Sequence, residues 1–311
     1  MNILLTGAAG FLGSHLTQRL LAEGHNVLGL DDLSTGKIEN IGKFLENPNF
    51  RFITHDVRQP YEFNQEFDAI LNFACPASPK HYQIDPVKTI ETNFLGIINL
   101  LHLAHDSGAI LIQASTSEVY GDPNISPQSE EYWGNVNPIG VRSCYDEGKR
   151  AAETLCFDYK RQYEVDTRVI RIFNTYGPNM SHDDGRVVSN FIYQALSGID
   201  LTIFGNGSQS RSFCYVDDLV EGIYRVLLSD QFLDTPINLG NPHELSMLEV
   251  AKLVLKLTNS ESKIKFLPLP ADDPQQRCPD ISKATKVLGW IPEVDITKGL
   301  AKTIEYFRAS L

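Results

Sequence analysis

The sequence predicts an α/β fold in which a doubly wound parallel sheet is followed by a smaller C-terminal lobe. In the first half, short apolar runs alternate with segments of helical periodicity. These runs are nearly continuous, which is typical of strands buried on both faces. After residue 176, glycine and proline become frequent and the apolar runs shorten. Together these observations favour a helix-covered parallel sheet and then a less regular lobe.

The first elements are the most clearly marked. The run NILLT predicts a strand at residues 2–6, and residues 11–23 predict a helix. Leu12, Leu16 and Leu20 share one face of that helix, and Gly24 is a typical stop. Further strands are predicted at NVLGLD, FRFIT, FDAILNFA, AILIQAS and TRVIRIF, and further helices at 86–107 and 145–162.

The change in the pattern of apolar runs after residue 176 predicts that the chain forms two unequal parts. Residues 1–175 are expected to form the domain that contains the sheet, and residues 176–311 mainly a substrate-binding lobe. The segment 212–240, which contains PINLG, is expected to return to the sheet. Ligands of open α/β sheets bind beyond the carboxyl ends of the strands, so we expect the site in the crevice between the two parts.

Charge and composition exclude several classes of function. Lys and Arg number 27 against 39 Asp and Glu, a net charge of −12, so we expect no nucleic-acid partner. The longest apolar runs fall short of the roughly 20 residues that span a membrane, and no cationic leader precedes them. Five scattered cysteines without a Cys-x-x-Cys pair predict free thiols in the cytoplasm. The dispersed histidines form no ligand set, so we expect no metal site.

A glycine motif lies between the first predicted strand and the first predicted helix. The segment TGAAGFLGSH places Gly7, Gly10 and Gly13 in a G-x-x-G-x-x-G spacing, a variant of the dinucleotide-binding pattern. Such a turn lets the backbone approach a pyrophosphate at a helix N-terminus. We therefore interpret these glycines, with Phe11 and Leu12 between them, as cofactor-binding residues of a Rossmann fold; the alternative is a plain tight turn.

Asp31 ends the second predicted strand, 18 residues after Gly13. A carboxylate at that place accepts hydrogen bonds from ribose hydroxyls and repels a 2′-phosphate, so it favours NAD over NADP. Asp56 and Val57 follow the third predicted strand and are expected to border the adenine. A solvated turn is the alternative for these two residues.

Tyr145 and Lys149 lie four residues apart on a predicted helix, hence on one face. The fifth predicted strand ends earlier at Thr116, Ser117 and Glu118, in the segment ASTSEVYGDP. A neighbouring ammonium and an oxidised nicotinamide both favour a phenolate, which makes tyrosine usable as a base at neutral pH. A surface pair without function is the alternative.

The motifs occur in a fixed order: the glycines, the aspartate, the strand-end hydroxyls and the tyrosine–lysine pair. In this order the chain resembles the extended short-chain dehydrogenase/reductase family over nearly its whole length. The resemblance implies that Tyr145 is the acid or base, that Lys149 lowers its pKa and that Thr116 binds the reacting sugar oxygen. It also implies NAD as the cofactor and nucleotide sugars as a common substrate class.

The triplet Thr116–Ser117–Glu118 separates the reactions that begin by oxidising C4 of such a sugar. The resemblance implies Asp-Glu after the threonine in 4,6-dehydratases, and serine is too weak an acid to replace that aspartate. A 4-epimerase has no clear use for Glu118. A decarboxylase needs only hydroxyls for an enolate and a carboxylate near C5 and C6. All three reactions stay open from these residues, as does a sensor that binds without turnover.

Longer motifs resemble the UDP-glucuronate decarboxylases within that family: ACPASP, STSEVYGDP, YWGNVNPIGVRSCYDEGKR, RIFNTYGP and DGRVVSNF. The resemblance implies UDP-glucuronate as substrate, recycled NAD and a cofactor contact at Ala74. It also implies a homodimer, because the helices at 86–107 and 145–162 resemble the pair that forms a dimer bundle. Their apolar faces are equally consistent with packing on the sheet.

An acidic protein with an anionic substrate needs local cations. The resemblance places Arg186 at the nucleotide, Arg211 at the diphosphate, and Arg277 at the sugar carboxylate or diphosphate. Asn174 and Tyr215 are expected beside the nucleotide. Arginine is always charged, so we favour an electrostatic role for Arg277 over proton donation. Ordinary surface ion pairs are the alternative for all three arginines.

Overall fold

The computed structural model describes residues 1–63, 65–231, 233–268 and 276–311. The strands in chain order are β1 (Asn2–Thr6), β2 (Asn26–Asp31), β3 (Phe50–Thr54), β4 (Ala69–Asn72), β5 (Ile110–Thr116), β6 (Thr167–Ile172), β7 (Thr175–Tyr176), β8 (Leu201–Phe204), β9 (Ser210–Ser212), β10 (Cys214–Tyr215), β11 (Ile237–Leu239), β12 (Glu244–Ser246), β13 (Ile264–Leu267) and β14 (Gln276–Arg277). The α-helices are α1 (Phe11–Ala22), α2 (Pro79–Tyr82), α3 (Pro86–Glu91), α4 (Ile97–Ser107), α5 (Ser143–Tyr163), α6 (Val187–Leu196), α7 (Val216–Leu228), α8 (Met247–Thr258), α9 (Ser282–Leu288) and α10 (Ile296–Ser310).

Seven of these strands form one parallel sheet in the order β11-β6-β5-β4-β1-β2-β3. The chain runs outward from β1 in both directions, so the switch point lies between β1 and β4, where ligands of such sheets bind. The predicted doubly wound fold is confirmed, and β11 is the expected return of the PINLG segment to the sheet. The domain boundaries at 175 and 176 stay a prediction.

Strand residues alternate between two apolar layers. Ile3 and Leu5 of β1 belong to the cluster that includes α1 and α7, whereas Leu4 belongs to the cluster beneath α4 and α5. All three are at most 1% exposed. Each such side chain stabilises the fold by about 2 kcal/mol when buried, so the strand NILLT contributes to the cores on both sides of the sheet.

The predicted helices differ from the observed ones mainly at their ends. The helix predicted at 86–107 consists of α3, a π-helical segment Thr92–Gly96 and α4. The helix predicted at 145–162 begins at Ser143 and ends at Tyr163. Within the described part of the chain, no helix is long and apolar enough to cross a membrane.

The lobe is built from small sheets and three long helices. Strand β8 pairs with β13, and β9 lies between β12 and β14. Helices α6, α8 and α10 pack on one another beside them. The parallel pairing of β9 with β14 places Arg211 and Arg277 opposite each other in register, so one small sheet of the lobe presents two cations side by side.

Candidate active site

A cavity of about 650 Å³ lies at the carboxyl ends of the central strands, and residues of the lobe line its other side. A smaller pocket adjoins it, since both are lined by Gly7, Gly10 and Phe73. Most of the predicted site residues line the larger cavity: Gly7, Gly10, Phe11, Leu12, Gly13, Thr116, Ser117, Glu118, Tyr145, Lys149, Asn174, Arg186, Arg211 and Arg277. Asp31, Asp56, Val57 and Ala74 line the smaller pocket.

The glycine turn leaves no room for side chains. Gly7 has a φ of +71°, and a Cβ there would lie 2.6 Å from the carbonyl oxygen of Phe73. A Cβ on Gly13 would lie 2.0 Å from the carbonyl oxygen of Gly7, so α1 packs directly on the turn. No described side chain caps α1, whose first residues face the cavity. The turn and the helix N-terminus form a cradle that fits a pyrophosphate.

The carboxylate of Asp31 is fixed by backbone donors beside this turn. The amide of Ala9 donates to Oδ2 at 3.0 Å and the amide of Leu33 to Oδ1 at 2.8 Å. Burial raises the pKa of Asp31, and these hydrogen bonds act against that rise. A Cβ on Gly36 would lie 2.8 Å from the same carboxylate, so this loop closes tightly around an acceptor that suits ribose hydroxyls.

Asp56 and Val57 lie at the far end of the smaller pocket. Arg58 pairs with Asp56 at 2.7 Å and with Glu91 at 2.6 Å. Burial acts to raise the pKa of Asp56, but the hydrogen bonds from Arg58 outweigh it and the pKa lies below its usual value. A Cβ on Gly96 would lie 2.9 Å from the Val57 side chain, so the π-helical segment packs closely on this end of the pocket.

Tyr145 and Lys149 lie together on α5, as their spacing predicts. The ring of Tyr145 stacks in parallel on Tyr82 with centroids 5.0 Å apart. The ammonium of Lys149 lies 5.7 Å from the Tyr145 ring centroid and donates to the carbonyl of Ala114 at 2.9 Å. Burial raises the pKa of Tyr145 well above its usual value, against a hydrogen bond with Thr116. Burial lowers the pKa of Lys149.

The strand-end triplet turns sharply out of β5. Thr116 Oγ1 accepts a hydrogen bond from the amide of Glu118 at 3.2 Å, and a 3₁₀ helix begins at Ser117. The carboxylate of Glu118 pairs with Arg277 on one oxygen and with Arg142 on the other. Burial acts to raise the pKa of Glu118, but Arg277 and Arg142 outweigh it, so the pKa lies below its usual value. Glu118 is therefore a carboxylate and not an acid at neutral pH.

Arg277 reaches the sheet end from the lobe and is only 3% exposed. Besides its pair with Glu118, it donates from Nη2 to the carbonyl of Gly121 at 3.1 Å. Its Nε is buried and has no hydrogen-bond partner among the described residues. One donor of this guanidinium thus remains to be satisfied, which fits an anionic substrate in the cavity.

The remaining predicted substrate residues separate into two groups. Asn174 and Arg186 line the cavity, and Arg186 pairs with Asp184 while its guanidinium lies 5.9 Å from the Phe11 ring centroid. Tyr215 is not among the described residues that line the cavity. Its ring packs edge-on against Tyr176 in the core. The placement of Tyr215 beside the nucleotide stays a prediction.

Three side chains of the site were missed from the sequence: Tyr82, Arg142 and Asp146. Arg142 and Asp146 flank Tyr145 within one helical turn, so the i, i+3 relation of Arg142 to Tyr145 is a signal that could have found it. Tyr82 carries no such signal, since it contacts Tyr145 only through the packing of α2 on α5.

In the ranges described, no group of three His, Cys, Asp or Glu side chains could hold a metal ion.

Known proteins resemble this chain over its full length. The model of the NAD dependent epimerase/dehydratase family matches residues 3–240. UDP-glucuronic acid decarboxylase 1 of Xenopus tropicalis is 53% identical over 310 residues, covering 100% of this chain and 73% of that protein. UDP-glucuronic acid decarboxylase 6 of Arabidopsis thaliana is 54% identical over 312 residues, covering 100% and 90%. A crystal structure of UDP-glucuronic acid 4-epimerase from Bacillus cereus with UDP-glucuronic acid and NAD has a TM-score of 0.88 at 29% identity, covering 100% of both chains.

Proposed function

Because the chain belongs to the NAD dependent epimerase/dehydratase family, we propose that it is an NAD-dependent enzyme that decarboxylates UDP-glucuronate to UDP-xylose. The observation that carries this choice within the family is Glu118, which two arginines hold as a carboxylate at the end of β5. A dehydratase needs an acid there to expel a hydroxyl group, and a carboxylate with a lowered pKa is not one.

The described residues fit NAD. Gly7 and Gly13 leave space for the pyrophosphate at the N-terminus of α1, and Asp31 offers an acceptor for the ribose. When bound, oxidised NAD supplies an acceptor for the C4 hydride, returns that hydride later, and places a positive charge near the phenol of Tyr145. Asp56, Val57 and Ala74 would border the adenine in the smaller pocket.

Tyr145 is proposed as the base that takes the proton of the C4 hydroxyl. Without bound NAD, the phenol of Tyr145 is protonated, since burial raises its pKa. The buried ammonium of Lys149, 5.7 Å from the ring, favours the phenolate once a further positive charge is nearby. Thr116 would donate to the C4 oxygen and fix its position against Tyr145.

Oxidation at C4 makes the substrate a β-keto acid. The C5–C6 bond then breaks, carbon dioxide leaves, and the electron pair passes into an enolate at the C4 oxygen. The hydroxyls of Thr116, Ser117 and Tyr145 would stabilise that oxygen. The negative charge of Glu118 would disfavour the substrate carboxylate relative to neutral carbon dioxide. A proton from solvent at C5, the hydride returned to C4 and the proton returned by Tyr145 to the C4 oxygen would complete UDP-xylose.

Local cations would bind the anionic substrate in this acidic protein. Arg211 and Arg277 lie in register on the lobe and both line the cavity, so they are proposed to contact the diphosphate and the sugar carboxylate. Asn174 and Arg186 are proposed to contact the nucleotide. Arg277 stays charged at all working pH values, so its proposed role is electrostatic.

Product mass tests the reaction directly. The purified holoenzyme is incubated with UDP-glucuronate without added cofactor, and the products are read by mass spectrometry. Loss of carbon dioxide to a UDP-pentose is expected. An isomer of unchanged mass would instead identify a 4-epimerase, and loss of water a 4,6-dehydratase; binding with no product after NAD is added would favour a sensor.

We also propose that the chain forms a homodimer through the helices between residues 86 and 107 and α5. Val87, Ile90, Phe94 and Leu95 are exposed apolar residues on that helical stretch, which packs along α5. Light scattering after gel filtration should give twice the mass of one chain. Phe94→Asp should produce monomers, whereas Leu228→Asp, an equally exposed position on α7, should not.

We also propose that the protein is located in the cytoplasm. All five cysteines are free thiols in the structure: Cys75, Cys144, Cys156, Cys214 and Cys278. Such thiols are typical of proteins in a reducing compartment. Fractionation of cells that produce the untagged chain tests this proposal, and enrichment in any other fraction would contradict it.

A further inference from the structure

A carboxyl group lies behind the cavity wall without a full set of partners. Asp146 follows Tyr145 in the first turn of α5 and is 7% exposed. Its Oδ1 is buried and has no hydrogen-bond partner among the described residues. Burying a carboxylate oxygen in this way is costly, so a buried acid with an unpaired oxygen requires an explanation.

Arg142 connects Asp146 to the proposed catalytic triplet. Its Nη2 pairs with Glu118, and its Nε lies 3.9 Å from Oδ2 of Asp146. Arg142 and Glu118 line the cavity, whereas Asp146 is not among the described lining residues. A single guanidinium therefore stands between one carboxylate at the cavity and one carboxyl group behind it.

The charges that face Asp146 come from several elements. Arg142, Cys144 and Glu147 lie within about one helical turn of it, Glu118 faces it from the end of β5, and Arg277 from β14. The phenols of Tyr82 and Tyr145 also interact with its charge. Burial and the charge of Glu118 raise the pKa of Asp146 to about 7, against the opposing effect of Arg142 and Arg277.

We propose that Asp146 is a positioning residue whose protonation state sets how much of the charge of Arg142 is available to the sugar carboxylate. This proposal rests on the proposed function. When Asp146 is neutral, Glu118 is the only charged one of these two carboxyl groups, and more of the positive charge of Arg142 acts on an anionic substrate. When Asp146 ionises, a second carboxylate competes for Arg142.

The sign of the pH effect follows from the raised pKa. Below about pH 7, Asp146 is neutral and does not offset the charge of Arg142. Above it, Asp146 carries a charge that repels the substrate through a partly buried region. One such charge about 12 Å away corresponds to about a tenfold loss of affinity at an effective dielectric constant of about 20. The carboxylate and diphosphate of UDP-glucuronate stay ionised throughout this range.

The test compares KM and kcat for UDP-glucuronate from about pH 6 to about pH 8.5 in the wild-type holoenzyme and in Asp146→Asn. The wild-type KM should rise about tenfold, with a smaller change in kcat, and the KM of Asp146→Asn should stay level. Asp158→Asn is the matched control, because Asp158 lies on the same helix in an exposed pair with Arg161. Its KM should rise as in the wild type.

A second measurement uses the wild type alone and holds even if Asp146→Asn does not fold. UDP-xylose lacks the C6 carboxylate, so its inhibition constant should change with pH much less than the KM of UDP-glucuronate. The proposal is overturned if the wild-type KM does not change with pH, or if the KM of Asp146→Asn rises as in the wild type. In either case, release of carbon dioxide would leave the proposed function intact. Absence of carbon dioxide release at every pH overturns both.

Discussion

The two ends of the cavity are built differently. The cofactor end comprises the glycine turn and the smaller pocket, and the substrate end comprises Glu118 and its arginines. At the cofactor end, backbone shape forms the site: glycines at 7 and 13 make space, and amides fix Asp31. At the substrate end, long charged side chains converge from the segment after β5, the start of α5, β9 and β14. We therefore expect substitutions that add side-chain atoms to weaken cofactor binding at the first end, and substitutions that remove charge to change substrate binding at the second.

The largest effect is expected where the two ends meet, at Tyr145. Tyr145→Phe removes the phenol that moves the C4 proton, and turnover should fall by about 10³-fold. The affinity for UDP-glucuronate should change little, since the ring and its stacking on Tyr82 remain. Turnover is measured as carbon dioxide release and affinity by calorimetry. Tyr163→Phe, at the exposed end of the same helix, is the control; full activity of Tyr145→Phe would refute the assignment.

Gly7→Ala tests whether backbone shape governs the cofactor end. The new methyl group would meet the Phe73 carbonyl at 2.6 Å, so we expect NAD retention to fall by about 10²-fold and the free energy of unfolding by about 3 kcal/mol. Gly24→Ala is a matched control, because Gly24 also has a positive φ but open space around its Cβ. It should lose about 1 kcal/mol from backbone strain alone and retain NAD. Equal NAD loss in both variants would break the comparison.

Glu118→Gln tests the charge balance of the substrate end. The change removes the partner of Arg142 and Arg277, so the substrate carboxylate gains two cations and KM should fall about tenfold. Turnover should fall as well, because the carboxylate that disfavours the ground state is lost. Initial rates at fixed pH measure both. Glu147→Gln, half-buried on α5 beside Arg150, should leave both constants near wild type; a raised KM in Glu118→Gln would contradict the charge argument.

The smallest effect is expected at Asp56, a charged residue of the cofactor end. Its pKa lies below the usual value because Arg58 outweighs burial, so its contribution to stability is present above about pH 4 and is lost as pH falls through the lowered pKa. Asp56→Asn should lower the free energy of unfolding by about 0.5 kcal/mol at pH 7, with no difference in strong acid. Urea unfolding at both pH values measures this. Asp158→Asn, in a more exposed pair with Arg161, should show no loss at either pH.

Local patterns were predictable because short-range physics determines them. The strand Asn2–Thr6 and the glycine turn follow from steric limits on neighbouring residues, and the structure has that strand at the predicted residues. Helical periodicity places Tyr145 and Lys149 on one face of α5 in any tertiary context. The ends of the helices were less predictable, since α5 starts two residues before the predicted position and π-helical residues divide the stretch 86–107.

The amino-acid sequence by itself determined the individual strands, the glycine turn and the tyrosine–lysine pair, because each depends on contiguous residues or on a single helix. Only the tertiary structure decided which charges meet. Glu118 and Arg277 are 159 residues apart in the chain and pair because the lobe docks β14 beside β9. Ion pairs act over a few ångströms, so their partners depend on how distant elements pack and not on local sequence.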